Sequence, residues 1–465
     1  MSHELYKQIK SALDKNKHTI LSSSVSTIIH SNKFRFIKDG FNIFLFMPKD
    51  SITASQISYN PCVHLLLDVP AKNNFSSLSY NGIAKPVVDP LVKKDVLTKW
   101  KQKYPSRKNG VSDANTILIQ ILPLKINAAC KRQNENEEFL EFQENKPGLL
   151  KSLINAAVTK FRLWIAITRA PFFTASIAPV ILGVAVAYHY QQQVNWKLFL
   201  LTLLGTVFAH AGANVINDYY DHRSRNDEVN KYHNVFTGGS RMIQNGIISP
   251  EKTFFIASIF FLAAIIIGLY LNFILAGNVI LIIGLVGIIL GFTYSATPIK
   301  LSYRGIGELA IVISYGPLIV LGTYFVQVQQ LDWIPILASI PAGILVGLIL
   351  FINGFQDMQA DGAVGKRTAV VRLKDKKRSL IVYKITLLFV YIWIVTLTVM
   401  RIFPVWSFIV LIVTPMIIRS FKLANRNYAK ITELLPVNAL TIGLHLLTTL
   451  LFAAAFIIDV LIKKM

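Results

Sequence analysis

Acidic residues gather at two places in an otherwise apolar chain: Asn217, Asp218 and Asp221 with Asp227 beyond, and Asn353, Asp357 and Asp361. At helical pitch Asn214, Asp218 and Asp221 share one face, and Asn353, Asp357 and Asp361, spaced i, i+4, i+8, share another. Each group closes a long hydrophobic run, so each is expected at a membrane boundary. Carboxylates held together there repel one another and lose hydration, a cost that divalent cations offset. Magnesium suits the task, because this hard ion takes carboxylate oxygens and keeps positions free for phosphate oxygens. One acidic group alone would read as a solvated helix end; two, with asparagine at matched offsets, point to phosphate chemistry.

The elements that must carry these groups are legible in the composition. The chain has 465 residues, 53% of them hydrophobic, and a formal charge of +23, a combination rare in soluble proteins. Residues 1 to about 150 read as a soluble domain. From about Phe161, apolar runs recur around 164–188, 197–216, 254–273, 276–295, 307–327, 333–353, 380–400, 403–418 and 438–462. They predict an all-α polytopic membrane bundle of about nine helices. Basic residues concentrate in alternate connections, among them Arg223, Arg241, Lys300, Lys366 and Arg419. The positive-inside rule places those loops, and both acidic groups, in the cytoplasm.

The N-terminal part alternates with a period of two. Phe34, Phe36, Phe41, Ile43, Leu45 and Met47 flank a predicted hairpin turn at Lys38-Asp39-Gly40, and further strands are expected over 63–69, 78–88 and 117–126, with a helix over 90–104. Met1 to Lys17 is polar and shows no signal-peptide core, which puts this domain in the cytoplasm too. Residues 132–158 are expected to link domain 1–131 to domain 159–465. Cys62 and Cys130 have no metal-ligand spacing, and nine scattered histidines give no zinc motif.

Two resemblances follow from these residues. The pattern Asp39-Gly40, then Asp50-Ser51 to Asn60-Pro61, then Tyr80-Asn81-Gly82-Ile83-Ala84 resembles the mainly-β split barrel of the pyridoxamine 5′-phosphate oxidase-like family. That likeness implies a flavin (FMN) site, whereas the basic residue wanted near Ser51 to Gln56 is not evident; flavin binding and an accessory barrel both stay open. Further on, the ordered motifs Asn217-Asp218-Tyr219-Tyr220-Asp221, Thr237-Gly238-Gly239-Ser240-Arg241, Tyr294-Ser295-Ala296-Thr297-Pro298, Arg304-Gly305-Ile306-Gly307-Glu308 and Gly365-Lys366-Arg367-Thr368 resemble the UbiA superfamily of intramembrane prenyltransferases. The last two look most like its 1,4-dihydroxy-2-naphthoate branch of menaquinone synthesis.

The UbiA resemblance implies a magnesium-dependent transfer of a polyprenyl group from polyprenyl diphosphate to an aromatic acceptor. Asp218, Asp221, Asp357 and Asp361 would be catalytic. They would hold the metal with Asn217 and Asn353, and with Asp227 in place of an aspartate the family keeps where Arg225 stands here. Asn217, Arg241, Tyr294, Asn353, Lys366 and Arg367 would bind substrate, and Arg169 is a further phosphate-facing candidate. The setting would be the cytoplasmic (inner) membrane, with the lipid bilayer as partner. 4-Hydroxybenzoate or homogentisate as acceptor, and an ion-coupled transporter, are the alternatives. Nucleic acid is not expected, since basic loops beside spans need only anionic lipid.

Overall fold

The computed structural model describes residues 3–25, 28–68, 75–105, 114–130, 138–275 and 277–464. The chain divides into two compact units, Met1–Trp164 with Met242–Ser249, and Ile165–Arg241 with Pro250–Met465.

The first unit runs α1 (His3–Lys15), β1 (His18–Val25), β2 (Ile28–Arg35), β3 (Ile37–Asp39), β4 (Asn42–Pro48), α2 (Ile52–Tyr59), β5 (Cys62–Asp68), β6 (Phe75–Pro86), α3 (Pro90–Lys103), β7 (Thr116–Cys130) and β8 (Glu138–Glu141). The strands form one antiparallel half-barrel sheet in the order β2-β1-β5-β6-β7-β4-β3, with β8 on β7. The predicted hairpin is β3–β4, with Asp39 paired to Asn42 and Gly40 at φ 58°. Alternation puts Ile43, Leu45 and Met47 of β4 into one core with Leu65, Leu67 and Leu78. The Tyr80 hydroxyl, fully buried there, donates to Phe41 O at 2.5 Å. Ser51 caps α2 by accepting from Ala54 N at 3.2 Å. Within the expected linker, residues 132–137 lie outside the described residues, and 138–141 is strand β8, which buries Leu140 in the same core.

The second unit is helical. α4 (Leu149–Thr168) begins in the first unit and ends in the second, and after it come α5 (Thr174–Gln191), α6 (Trp196–Arg223), α7 (Asn226–Val229), α8 (Pro250–Ile274), α9 (Val279–Thr293), α10 (Gly307–Ile313), α11 (Ile319–Val328), α12 (Trp333–Ala363), α13 (Ala369–Leu373), α14 (Lys376–Val399), α15 (Thr414–Asn427) and α16 (Leu435–Lys464). Among the described residues, eight helices are long and apolar enough to cross a membrane. The run expected over 276–295 is α9, only 15 residues, or about 22 Å against about 30 Å of hydrocarbon. The run expected over 164–188 is broken: Arg169 takes a left-handed φ of 54°, Pro171 opens a new turn, and the span is Ala170–Gln191.

Packing in this unit centres on α12, whose Ala338, Leu345 and Ile352 meet Leu182 and Val186 of α5, Tyr383 and Leu387 of α14, and Phe452 of α16. Buried hydroxyls satisfy one another between helices, as lipid cannot. Tyr383 OH lies 2.9 Å from Ser420 Oγ and 2.7 Å from Thr441 Oγ1, and Tyr391 OH 2.8 Å from Thr448 Oγ1.

Candidate active site

α6 and α12 each begin on a capping side chain, Asn195 accepting from Leu198 N at 3.1 Å and Asp332 from Ile334 N at 3.0 Å. They run 28 and 31 residues, about 42 and 46 Å, so both overrun the hydrocarbon and can hold carboxylates at its edge. Asp218 and Asp221 sit in the last turns of α6, and Asp357 and Asp361 in those of α12. A helix C-terminus is the negative end of its dipole, which makes both positions worse for a carboxylate. The two ends nevertheless converge.

A cation stands at the junction. Just beyond α12, the backbone N of Lys366 donates to Asp361 O at 2.8 Å. Its buried Nζ lies 3.4 Å from Asp221 Oδ2 and 3.6 Å from Asp361 Oδ1. Burial by itself lowers a lysine, but Asp221 and Asp361 outweigh it and hold Lys366 well above the ordinary lysine value. The opposite happens at Asp227. Burial first, then Asp221 and Asp218, push this carboxyl up to about 8 against the pull of Lys366 and Arg241.

The loop from α7 to Ser240 supplies polar partners. Asn226 Nδ2 donates to Asp361 Oδ1 at 3.1 Å, Asn230 Nδ2 to Asp357 Oδ1 at 2.8 Å, and Asn234 Nδ2 to Gln356 Oε1 at 3.3 Å. Gly238 and Gly239, at φ 80° and 69°, then turn the chain so that Ser240 N donates to both carboxylate oxygens of Asp218 at 3.2 Å. A Cβ on Gly239 would lie 2.8 Å from Asp218 Oδ1, so glycine permits the approach. The Arg241 guanidinium donates to the backbone oxygen of Asp227. The asparagines were missed in the sequence, although their spacing, i, i+4, i+8 between two named motifs, was the available signal.

Other candidates fall into place around these. Asn217 Nδ2 donates to Ser295 Oγ at 2.6 Å. Asn353 donates to Phe236 O at 3.2 Å and accepts from Asn438 at 2.7 Å. Arg169 reaches the same Phe236 O at 3.4 Å and lies over the Phe172 ring at 4.8 Å. Glu308 of the Arg-Gly-x-Gly-Glu motif accepts from Ala369 N at 2.8 Å. Arg367 is exposed, and it does not line the cavity described next.

That cavity, about 520 Å³, has Asp221, Asp227, Asp357, Asp361 and Lys366 at one end and Leu201, Leu271, Ile280 and Ile283 among its apolar lining. Arg169, Asn217, Tyr294 and Asn353 also line it; Asp218 does not, being held against the Ser240 amide. From Asp221 to Leu201 it follows α6 for about 30 Å of helix rise. A charged head and a long hydrocarbon tail fit such a space.

The donors suit magnesium bound together with phosphate. Among the described residues no three His, Cys, Asp or Glu side chains gather closely enough to cage a metal. Magnesium does not ask for such a cage; one or two carboxylates plus substrate phosphates suffice. Two buried oxygens on the cavity wall, Asp221 Oδ1 and Asn226 Oδ1, have no hydrogen-bond partner, as hard-ion ligands would be left before the ion arrives. Flavin phosphate finds no such fit at residues 51–56: the segment carries no basic side chain, Ser51 is spent on α2, and Gln56 is bonded to Ser23 Oγ and Gly246 O, both at 2.7 Å.

Carboxylates at paired helix ends, a buried lysine between them and a long apolar cavity below suit the binding of an anionic head with a hydrocarbon tail. Residues 176–440 match the UbiA prenyltransferase family, and the chain belongs to it. It is a multi-pass membrane prenyltransferase, which removes the transporter alternative. A 2-carboxy-1,4-naphthoquinone phytyltransferase of Synechocystis is 30% identical over 301 residues, 63% of this chain and 93% of that protein. A 1,4-dihydroxy-2-naphthoate octaprenyltransferase of Bacillus subtilis is 31% identical over 262 residues, 56% and 81% of the two chains. At the N-terminal end, a solved Clostridium acetobutylicum protein of the pyridoxinephosphate oxidase family is similar to 31% of this chain over 100% of its own, at 13% identity and a TM-score of 0.26.

Proposed function

We propose that the protein transfers a polyprenyl group from polyprenyl diphosphate to 1,4-dihydroxy-2-naphthoate, with magnesium, toward menaquinone. The observation that carries this reading is the meeting of Asp221, Asp361 and Lys366 at the head of an apolar cavity. The naphthalene acceptor is supported by the names of the two relatives above and by the Arg304-Gly305-Ile306-Gly307-Glu308 motif.

In this reading Asp221 and Asp227 with Asn217, and Asp357 and Asp361 with Asn353, would hold the ions, and Asp218 would join them only on leaving the Ser240 amide; magnesium bound there would supply the positive charge that offsets the charge growing on the diphosphate. Lys366 and Arg241 grip the leaving group by charge-assisted hydrogen bonds. The allylic C–O bond breaks with its electron pair leaving on diphosphate. The acceptor ring carbon then bonds to the allylic carbon, and the ring carboxylate departs as carbon dioxide. The apolar cavity orients the tail and excludes the water that would quench the cation. Tyr294 and Arg169 face the same space and position the ring. The acidic ends lie on the cytoplasmic side of the cytoplasmic membrane, by the basic loops around them.

Membranes carrying the protein, given radiolabelled polyprenyl diphosphate, magnesium and a panel of aromatic acids, test this. Product from 1,4-dihydroxy-2-naphthoate, lost when magnesium is chelated, is the expected result. Product from 4-hydroxybenzoate or homogentisate instead would reassign the acceptor, and transfer unaffected by chelation would remove the metal.

A further inference from the structure

We propose that His210, in the middle of α6, is the residue that reads an aromatic hydroxyl on the acceptor. The inference deepens the proposed function and rests on it for the acceptor, and its test also has a binding readout that needs no transfer. Polar side chains mark one face of α6: His210, Asn214, Asn217 and Asp221 follow one another at steps of four, three and four residues, and all line the cavity. Asn217 and Asp221 belong to the end that takes magnesium and diphosphate. Asn214 is already engaged, its Nδ2 donating to Thr168 O at 3.1 Å. His210 is the innermost of the four, about 10 Å of helix rise below Asn217, a depth at which a polar group is costly unless it finds a partner.

The imidazole is gripped from several elements and left free on one side. Ser176 of α5 shares a hydrogen bond with its Nδ1 through Oγ. Phe173, in the turn before α5, meets the ring edge to face at 5.3 Å between centroids, and Tyr315 does so at 5.0 Å. Tyr315 itself sits in a single π turn, Ser314–Leu318, which joins α10 to α11 with Pro317 inside it; such turns within helices occur frequently at functional sites. His210 is only 7% exposed, yet among the described residues its Nε2 makes no hydrogen bond, while the side chain lines the cavity. A buried histidine clamped at one nitrogen leaves the other for whatever fills that space.

The chemistry of this nitrogen narrows what it takes. Because the Ser176 hydroxyl can donate or accept, the neutral ring can present Nε2 as an acceptor or as an N–H donor, and an aromatic hydroxyl answers either. A hydrocarbon tail answers neither and would leave the nitrogen unpaired. Diphosphate, in the proposed reaction, is taken at Lys366 and the acidic helix ends, which leaves the acceptor. In 1,4-dihydroxy-2-naphthoate the hydroxyl beside the carboxylate bonds to it internally, so the hydroxyl across the ring is the free one. Arg169, on the same wall, faces the carboxylate, and His210 takes the free hydroxyl by hydrogen bonding alone, with no bond made or broken at the histidine.

The test uses full-length protein in lipid nanodiscs and two probes that differ by that hydroxyl, 4-hydroxy-2-naphthoate and 2-naphthoate, with no prenyl donor added. Calorimetric titration should show the wild type binding the hydroxylated acid about tenfold more tightly, the yield of one buried hydrogen bond. His210→Phe should bring the hydroxylated acid down to the affinity of 2-naphthoate and leave 2-naphthoate itself within about twofold, and His210→Gln, which keeps a donor and an acceptor, should restore part of the preference. Ser176→Ala, which frees the ring to turn, should also reduce the preference, and it serves if the phenylalanine variant fails to fold. In transfer assays His210→Phe should raise KM for 1,4-dihydroxy-2-naphthoate about tenfold and leave KM for polyprenyl diphosphate unchanged. Equal affinity of the wild type for the two probes, a preference that survives His210→Phe (or Ser176→Ala, where only that variant folds), or a parallel rise of both KM values overturns the inference. Should the wild type transfer nothing to the naphthoate, the functional reading fails, while the probe titrations still decide whether His210 reads a hydroxyl.

Discussion

The two acidic helix ends look alike in sequence and differ in how the protein treats them. At the end of α12, Asp357 and Asp361 each accept from an asparagine of the same loop, Asn230 and Asn226. At the end of α6, Asp218 is met by a backbone amide, and Asp221 keeps one oxygen near Lys366 and the other buried without a partner. The α12 end is set in place by the fold. The α6 end is left under-satisfied, and a buried carboxylate oxygen in that condition is stable only when a cation arrives. Under the proposed reaction, the first is a fixed wall and the second is where an incoming ion gains most.

The largest effect should come from removing a carboxylate outright. Asp221→Ala and Asp357→Ala should each lower kcat/KM about a thousandfold or more, about 4 kcal/mol of transition-state stabilisation. Membrane insertion and expression should stay intact. Near-normal transfer by either variant would show that the two ends do not act as a pair. Lys366→Ala should cost about a hundredfold, in the range of a lost oxyanion-type donor. It should also weaken packing, because Asp221 and Asp361 then face each other without a cation.

A smaller effect should sharpen the contrast between the two ends. Asn230→Ala leaves every proposed ligand in place and removes one of the two groups that orient Asp357, along with the acceptor for Tyr232 N, so magnesium affinity should fall about tenfold. No change in the magnesium titration would mean that the fold does not pre-set α12. Acidity supplies a further measure. Asp227 is pushed above the unfolded carboxyl value to about 8, so its stabilising contribution is fully present below that unfolded value and is lost as pH rises toward about 8. Metal-free protein should therefore lose thermal stability over that window, and magnesium should restore it. The loss should vanish in Asp227→Asn. The smallest effect is expected at exposed Arg367, whose replacement by alanine should change KM for polyprenyl diphosphate by no more than about twofold; a larger rise would return it to the clamp.

Both carboxylate pairs, the glycine turn and Lys366 were readable because each lies in a short motif at the end of a hydrophobic run. Much of the sheet was readable for a similar reason: the apolar runs of β4, β5, β6 and β7 are local, whereas β1 was not expected. What escaped was long-range. Asn226 and Asn230 matter through partners on another helix, and nothing near them in sequence marks those partners. Asp218 seemed equivalent to Asp221, yet the Ser240 amide holds it out of the cavity wall, a difference set by a turn more than twenty residues away. Likewise Met242–Ser249 reads as an ordinary loop, and only tertiary packing shows that it folds with the sheet. Strand β8 was hidden by the charged composition around it, since a single buried side chain, Leu140, ties it to the core.

The cavity along α6 has one more consequence. Its length is about that of the hydrocarbon layer, with the polar residues gathered at one end. A tail threaded there under the proposed reaction lies parallel to the neighbouring lipid chains, and the new carbon–carbon bond forms at the interfacial depth. The quinone precursor is therefore released already oriented as an amphiphile, ring at the surface of one leaflet and tail among the acyl chains, so delivery to the membrane needs only sideways escape and no turnover across it.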